Sequence, residues 1–78
     1  MRMKQVSSSQ ISRIGYEIAT KTLAVEFHPR KDETVGAVYH YDNVSAEDHA
    51  ALMSAKSIGS HFGKHIRSDP AKYPYRKV

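Results

Sequence analysis

Apolar and polar residues alternate with a period of two in the first half of the chain. The segments 13–19 and 23–27 each place Ile, Leu, Val or an aromatic residue at every second position, which is typical of half-buried β-strands. Only a few polar residues separate them, so they predict an antiparallel hairpin with its turn at 20–22. The same alternation predicts a third strand at 35–41, and 6–9 is a short candidate edge strand.

The second half of the chain has a helical period instead. Ser45 precedes two acidic residues and is suited to cap a helix, because its hydroxyl accepts backbone N–H groups and the acids favour the positive end of the helix dipole. Apolar residues then recur at spacings of three or four, at Ala51, Ala55, Ile58, Phe62 and Ile66. Gly59 interrupts this stripe and Ser57 is a second candidate cap. Two helices are therefore predicted, at 46–54 and 57–66.

These elements predict an α+β fold, with a three- or four-stranded antiparallel sheet followed by two C-terminal helices packed on one face. The whole chain, residues 1–78, is expected to form a single domain with its core at about 6–67. The tail, 68–78, contains Pro70 and Pro74 and cannot form one continuous helix. We expect at least one of its two tyrosines to pack back onto the domain.

Length and composition limit the classes of function. A chain of 78 residues buries only roughly 60% of its unfolded surface, so its core is thin and homo-oligomerisation is a natural way to bury more. The absence of Cys excludes disulfides, thiolate zinc sites and a cysteine nucleophile. No apolar run approaches the roughly 20 residues of a membrane-spanning helix, and no signal peptide is visible. We therefore expect a soluble, cytoplasmic protein.

The net charge of +4 is unevenly distributed along the chain. Residues 1–16 contain three basic residues and no acid, 17–53 contain three basic and seven acidic residues, and 54–78 contain six basic residues and one acid. Basic ends suit a phosphate-bearing partner, because each neutralised phosphate releases condensed counterions. The alternative is a solvated charged surface that keeps a small protein in solution.

Tyr39 and Tyr41 are the first candidates for contact with a ligand. Residues two apart on a strand point to the same face, and on an exposed sheet such rings can stack on nucleic-acid bases. Val35 and Ala37 share that face and give it the character of a core face. The sequence therefore favours core packing of at least one tyrosine, with its hydroxyl hydrogen-bonded at the rim.

A second candidate site lies around Ser57 and Gly59, where the start of a helix presents N–H groups to a phosphate or carboxylate. The basic residues expected to line such a surface or add charge to it are Lys56, Lys64, Arg67, Lys72 and Arg76. In the alternative interpretation, Ser57 only caps the helix and Gly59 only lets it approach the sheet. Proximity of Ser8 and Ser9 would strengthen the anion-site interpretation.

Metal binding and catalysis have little support in the sequence. His61 and His65 are four residues apart and can share a helix face, but no motif supplies a third ligand, so neither a metal nor a cofactor is predicted. Ser8, Ser9 and Ser57 are not paired with a base in a recognisable pattern. The chain also lacks a Gly-x-Ser-x-Gly motif, a phosphate-binding Gly-rich loop and a His-Glu-x-x-His motif. We expect no enzymatic activity.

Several short motifs, in order along the chain, resemble those of the KTSC domain family. The matches are Ser-Ser at 8–9, Ile-Gly-Tyr at 14–16, Leu-x-Val-x-Phe at 23–27, the central Tyr-x-Tyr at 39–41 with Val44, Ala-x-Ser-x-Gly at 55–59, Phe62, and Ile-Arg at 66–67. They cover about residues 6–76, although the loop 28–35 is longer and more charged than the turn that the family usually has there. The family occurs alone in bacterial and phage proteins and at the C-terminus of some lysyl-tRNA synthetases, an association that implies an RNA-binding role.

The sequence thus predicts a small non-enzymatic module that binds a phosphate-bearing ligand, with RNA or single-stranded nucleic acid as the leading hypothesis. One alternative is a protein-interaction or self-association module whose basic surface meets an acidic protein. Another is a binder of a free nucleotide, which requires a pocket. No membrane partner is expected.

Overall fold

The chain forms five β-strands and two short helices. The computed structural model describes all 78 residues. In chain order the elements are β1 (Met3–Gln5), β2 (Ile11–Glu17), β3 (Thr22–Phe27), β4 (Val38–Tyr41), α1 (Ala46–Met53), α2 (Ile58–Phe62) and β5 (Tyr75–Lys77). Helix α2 continues without a break into one π-helical turn, Gly63–Arg67.

All five strands join one antiparallel sheet whose spatial order follows the chain, β1-β2-β3-β4-β5. The α+β class is confirmed, but the predicted count of three or four strands is wrong. The N-terminal edge strand is β1 rather than the segment 6–9, and β5 was not predicted at all. Both are three-residue strands with sequences rich in polar residues. Backbone hydrogen bonds to a single neighbour hold such strands, so they need no alternating apolar run.

The predicted hairpin of β2 and β3 is confirmed. Its turn contains Lys21 in the left-handed region, with φ of 55°, and the Lys21 carbonyl accepts the backbone N–H of Val44 at 2.9 Å. The prediction that Ile18 shares the buried face is wrong. Because β2 ends at Glu17, Ile18 lies in the turn and is 67% exposed.

Both helices begin with the predicted serine caps. Ser45 Oγ accepts the backbone N–H of Asp48 at 3.0 Å, and the Asp48 carboxylate accepts the Ser45 N–H in return. Ser57 Oγ accepts a backbone N–H from the first turn of α2. The predicted apolar stripe is displaced by one residue on α1, where Leu52 is fully buried and Ala51 is exposed. The larger apolar side chain occupies the core position.

Both helices pack on the same face of the sheet, which we call the inner face. The core consists of Ile11, Ile14, Leu23, Val25, Tyr41, Val44, Leu52, Phe62, Ile66 and Tyr73. On the outer face, Met3 lies over Gly15 so closely that a Cβ at Gly15 would be 2.6 Å from Met3 Sδ. No helix of this fold combines the length and the apolar character that crossing a membrane requires.

The tail returns to the domain after the helices. Tyr73 is only 3% exposed, and its hydroxyl donates to Asp48 Oδ2 at 2.8 Å. The side chain of Asn43 donates to the carbonyl of Lys72 at 3.0 Å, and β5 then pairs with β4. The expectation that a tail tyrosine packs back is confirmed. The prediction that the helices are the C-terminal elements is wrong, because β5 follows them.

Strand β4 is shorter than predicted. It begins at Val38 rather than at residue 35, and Val35 is 77% exposed. Gly36 lies directly against the backbone of Phe27, where an added Cβ would be 1.6 Å from the Phe27 oxygen. The Phe27 N–H donates to the Ala37 oxygen at 3.0 Å. The chain therefore joins the sheet only after Gly36 has passed the Phe27 backbone. The charged loop 28–35 lies at the margin of the inner face.

Candidate functional site

An open cleft of ≈ 620 Å³ lies on the inner face, between residues of β3, β4 and β5, the end of the π-helical turn and two loops. Four aromatic side chains form its wall: Phe27, Tyr39, Tyr41 and Tyr75. The other lining residues are Ala37, Arg67, Pro70 and, from two loops, Ser9, Gln10, His28, Pro29, Arg30 and Glu33. We call this site the aromatic cleft.

The strand register brings the aromatic rings together. Tyr41 lies opposite Tyr75 across β4 and β5, and opposite residues of neighbouring strands point to the same face. The ring centroid of Tyr75 is 5.6 Å from that of Tyr41 and 6.0 Å from that of Tyr39. Phe27 meets Tyr39 edge to face at 5.9 Å, and Phe62 meets Tyr41 from the helix side at 5.2 Å. The rings therefore form one continuous, mutually supported surface.

The cleft tyrosines differ in their exposure to solvent. Tyr41 is 4% exposed and belongs to the core, which confirms the prediction that at least one tyrosine of the Tyr-x-Tyr motif is a core residue. The predicted hydrogen bond of its hydroxyl at the rim is wrong, because that hydroxyl has no partner in the protein. Tyr39 is half-buried, and Tyr75 is 56% exposed. Tyr39 and Tyr75 are thus the rings that a ligand in the cleft can reach.

The hydroxyl groups of the three cleft tyrosines have no hydrogen-bond partner in the protein, and none of them is sealed from solvent. The two remaining tyrosines behave differently. Tyr16 donates to the Val44 oxygen at 2.6 Å, and Tyr73 donates to Asp48. A phenolic hydroxyl can both donate and accept a hydrogen bond, so the cleft presents three hydroxyls that are free to bind a ligand.

Arg67 gives the aromatic cleft a positive charge. Both side-chain ion pairs of the structure involve other arginines, so the Arg67 guanidinium has no acidic partner. Burial raises the pKa of the Tyr41 hydroxyl, and the nearby Arg67 charge acts in the opposite direction. On the opposite loop, the backbone N–H of Arg30 donates to Glu33 Oε1 at 3.1 Å. Arg67 and Arg30 thus both line the cleft without a side-chain ion pair, and Glu33 is the one acidic residue in the lining.

A second cavity, of ≈ 500 Å³, adjoins the aromatic cleft between residues 7–10 and 56–60. Five of its nine lining residues are serines, namely Ser7, Ser8, Ser9, Ser57 and Ser60, and we call it the serine pocket. Ser9 and Gln10 line both cavities. The predicted candidates Lys56 and Ser57 both line this pocket, and the proximity of Ser8 and Ser9 strengthens the anion-site interpretation. Lys64 and Arg67, which were expected at the same site, do not line it.

The remaining predicted site residues lie outside both cavities. Arg76 points to the outer face, because it alternates with Tyr75 on β5, and it forms an ion pair with Asp42 at 3.0 Å. The Lys72 ammonium lies 5.1 Å from the centroid of the Tyr73 ring. Lys64 is exposed on the π-helical turn and lines neither cavity. Only Tyr39, Tyr41 and Arg67 of the predicted residues meet in the aromatic cleft.

The histidine pair lies at a third, smaller cavity. The ring centroids of His61 and His65 are 4.4 Å apart, and the cavity beside them is also lined by Asp48 and Lys72. No group of three or more metal-ligating side chains is arranged to hold a metal ion. The two imidazoles therefore lie beside one carboxylate and one ammonium group and are not part of a metal-ligand cluster.

Sequence reasoning missed several residues that line the aromatic cleft, namely Phe27, Tyr75, Arg30, Glu33 and Gln10. Phe27 was recognised only as a strand residue and Tyr75 only as part of the tail. A Tyr-Pro-Tyr sequence within a basic tail was the available signal for Tyr75. Its meaning depends on the pairing of β5 with β4, which no local pattern encodes.

The chain is similar to proteins of one family over nearly its whole length. The family model described as the KTSC domain matches residues 7–73. An uncharacterized protein of Stutzerimonas stutzeri (strain A1501) is 32% identical over 78 residues, which cover 100% of this chain and 99% of that protein. The crystal structure of a KTSC domain protein from Yersinia pestis matches with a TM-score of 0.81 and 34% identity, covering 99% of this chain and 96% of the other.

Proposed function

This chain belongs to the KTSC domain family, and we propose that it is a non-enzymatic module that binds single-stranded RNA in the aromatic cleft. One observation carries the proposal: two accessible tyrosine rings and an unpaired arginine line the same cavity. Rings offer stacking surfaces to bases, and a free guanidinium offers charge to the phosphate backbone. A fold that holds without Cys suits a cytoplasmic protein.

Stacking on Tyr75 and Tyr39 supplies the first part of the binding energy. Tyr75 is more than half exposed, and Tyr41 and Tyr39 support its ring from below. Such support reduces the ordering that a base must impose when it stacks. Base–aromatic stacking contributes about 1–3 kcal/mol per base in single-stranded complexes. Two rings of this kind are enough for sequence-tolerant binding of one or two bases.

Arg67 supplies the electrostatic part. An arginine that lacks an acidic partner keeps its full charge for a phosphate and can hold it with two N–H donors. For single strands, each phosphate contact changes the slope of log affinity against log salt by about 0.7. Binding is therefore expected to weaken with added salt, and Arg67 is expected to carry about one such contact.

A free nucleotide is the second candidate ligand, because the cleft volume of ≈ 620 Å³ falls within the roughly 300–1,000 Å³ of small-molecule sites. We favour the polynucleotide because the cleft is an open groove at a sheet margin, continuous with the serine pocket through Ser9 and Gln10. An open groove with an exposed ring accommodates a chain that enters and leaves.

The test is fluorescence anisotropy of a labelled single-stranded RNA of mixed sequence, at about 50 mM and about 200 mM salt. Four variants are compared with the natural chain: Tyr75→Ala, Tyr75→Phe, Arg67→Gln and Lys64→Gln. Lys64 is exposed, lies on the same π-helical turn as Arg67 and lines neither cavity. It therefore controls for the loss of one positive charge.

We expect Tyr75→Ala to weaken binding about tenfold, because a stacking surface is lost, whereas Tyr75→Phe retains the affinity. Arg67→Gln lowers the salt slope by about 0.7, and Lys64→Gln changes affinity less than Arg67→Gln does. Binding of a mononucleotide as tight as that of the RNA would transfer the proposal to a free nucleotide. If neither ligand binds, the proposal is wrong, and protein interaction or self-association becomes the hypothesis to test.

A further inference from the structure

We infer that the serine pocket is a phosphate subsite, which binds the phosphate next to the nucleotide stacked in the aromatic cleft. This inference rests on the proposed function, since it assigns a second contact to the same RNA. The ligand class is a phosphodiester or phosphomonoester oxyanion. The subsite turns a single stacking position into a site with a defined direction along the strand.

The serine hydroxyls that line the pocket are able to donate hydrogen bonds to an anion. Ser8 Oγ accepts the N–H groups of Gln10 and Ile11, each at 3.2 Å, and Ser57 Oγ accepts the N–H of Ser60 at 3.3 Å. An accepting hydroxyl keeps its own hydrogen for a further partner. These two serines are thus fixed in position by the backbone while their O–H groups remain available to donate.

The other donors of the pocket are side chains that have no hydrogen-bond or ion-pair partner within the protein. The hydroxyls of the remaining three serines and the Gln10 amide make no hydrogen bond within the protein, and Lys56 forms no ion pair. No Asp or Glu lines the pocket. Since the Ser60 N–H is already bound by Ser57, side chains rather than the helix end form the donor set. Hydroxyls, an amide and an ammonium without a carboxylate match an oxyanion.

Gly59 keeps the pocket open between its two walls. A Cβ at Gly59 would lie 3.2 Å from Ser8 Oγ and 3.8 Å from the side-chain amide of Gln10. Even one methyl group would therefore stand among the donors. Alanine favours a helix by about 1 kcal/mol relative to glycine, so Gly59→Ala places a methyl group among the donors without weakening the helix.

The two cavities share a wall, and this geometry links the phosphate to the stacked base. Ser9 and Gln10 belong to the lining of both. His28 holds the segment 7–10 in place. Its Nε2 lies 2.9 Å from the Ser8 backbone oxygen, and its backbone N–H donates to the Gln10 oxygen at 3.0 Å. An RNA chain that leaves the aromatic cleft past Ser9 and Gln10 arrives directly at the serine donors.

The test is an amide ¹H–¹⁵N NMR titration of the full chain in a phosphate-free buffer. Three probes are used: inorganic phosphate, uridine without phosphate, and a short oligouridylate. We expect inorganic phosphate to shift the amides of Ser7, Ser8 and 56–60, and uridine to shift residues of the aromatic cleft but not these amides; Ser9 and Gln10 line both cavities and do not discriminate. Lys56→Gln should weaken phosphate binding roughly tenfold, as expected for loss of a charge-assisted hydrogen bond. Gly59→Ala should also weaken it, because its methyl group would stand beside Ser8 Oγ and the Gln10 amide. Lys64→Gln, with the same charge change as Lys56→Gln, should leave phosphate binding unchanged.

The outcomes separate this inference from the proposed function. If the oligouridylate binds through Tyr75 while phosphate leaves Ser7, Ser8 and 56–60 unmoved, the subsite is wrong and the proposed function stands. If phosphate binds there but neither uridine nor the oligouridylate reaches the aromatic cleft, the link to a nucleotide is overturned together with the proposed function. Equal weakening by Lys56→Gln and Lys64→Gln would mean that only overall charge attracts phosphate, which also overturns the subsite.

Discussion

The five tyrosines of this chain divide between two regions that use the same side chain differently. On the α1 side of the domain, Tyr16 and Tyr73 donate their hydroxyls to protein acceptors, at 2.6 and 2.8 Å. In the aromatic cleft, Tyr39, Tyr41 and Tyr75 pack ring against ring and leave their hydroxyls without a protein partner. The first region fastens the tail and the hairpin through hydroxyl hydrogen bonds, and the second leaves its hydroxyls open to solvent beside the cleft.

The difference teaches that a tyrosine motif alone does not reveal its role. A buried hydroxyl without a partner destabilises a protein by about 1–3 kcal/mol, so a structural tyrosine is recognised by its acceptor. The two tyrosines of the central Tyr-x-Tyr motif both lack an acceptor and differ in burial, since the Tyr41 ring belongs to the core while Tyr39 is half-buried. Exposure and hydrogen bonding, rather than spacing, distinguish the environments of these tyrosines.

The largest expected difference between the two regions is in the stability of the variants Tyr73→Ala and Tyr75→Ala. Tyr73→Ala removes a buried ring and its bond to Asp48, so we expect a loss of about 3–5 kcal/mol in the free energy of unfolding. Tyr75→Ala should lose less than about 1 kcal/mol, since its ring is more than half exposed. Urea unfolding followed by circular dichroism measures both.

Because the free energy of unfolding of a domain this small is only about 4–12 kcal/mol, Tyr73→Ala is expected to be close to unfolded. Tyr73→Phe keeps the ring and removes only the hydroxyl, and it gives a measurable intermediate value. Equal destabilisation by the Tyr73 and Tyr75 alanine variants would contradict the division into two regions.

A smaller effect is expected from removing single hydroxyls. Tyr16→Phe loses the hydrogen bond to the Val44 oxygen, which contributes about 1 kcal/mol to stability. For a domain of this length, that corresponds to a fall of about 4–8 °C in the melting temperature. Tyr39→Phe removes a hydroxyl that has no protein partner, so its melting temperature should not fall. Thermal unfolding of the two variants side by side would sharpen the contrast, and a larger fall for Tyr39→Phe would break it.

The smallest expected effect is the pH dependence of stability in the region of Tyr16 and Tyr73. His49 stacks on Tyr16 with centroids 4.4 Å apart, and burial lowers the His49 pKa from its ordinary value of 6.5. As pH falls below about 6.5, the unfolded chain takes up this proton more readily than the folded chain does. The stability that neutral His49 contributes is therefore lost as pH decreases.

Melting temperatures between about pH 7 and pH 5 measure this loss. His49→Phe keeps the stacked ring and cannot be protonated, so its melting temperature should fall less steeply over that range. The aromatic cleft contains no stacked histidine, and Tyr39→Phe should show the pH profile of the natural chain. Identical profiles for the natural chain and His49→Phe would show that the stack makes no contribution.

Local sequence patterns predicted those parts of the fold that local physics determines. The hairpin of β2 and β3 follows from alternation, and the Ser45 cap follows from a hydroxyl with acids behind it. Strands β1 and β5 could not be predicted in this way, because three polar-rich residues become a strand only when a neighbouring edge pairs with them. Leu52, rather than the predicted Ala51, is the core residue of α1, because the orientation of a short helix depends on what it packs against.

The candidate site was predicted in its components but not in its assembly. Tyr39, Tyr41 and Arg67 were named from the sequence, and they meet in one cavity. Tyr75 was missed because its position depends on β5, and Phe27 was missed because its strand pattern looked complete without a role in binding. Proximity of residues far apart in the chain depends on the tertiary register, which a single sequence does not contain.

The meander order of the sheet has a practical consequence for anything joined to this domain. Strands β1 and β5 form opposite edges, and four inter-strand spacings separate them by about 19 Å. A tag, fluorophore or neighbouring domain fused before Met1 therefore starts across the sheet from Tyr75. The same addition after Val78 would start three residues from that ring, beside the mouth of the cleft. The N-terminus is the better attachment point for leaving the cleft accessible.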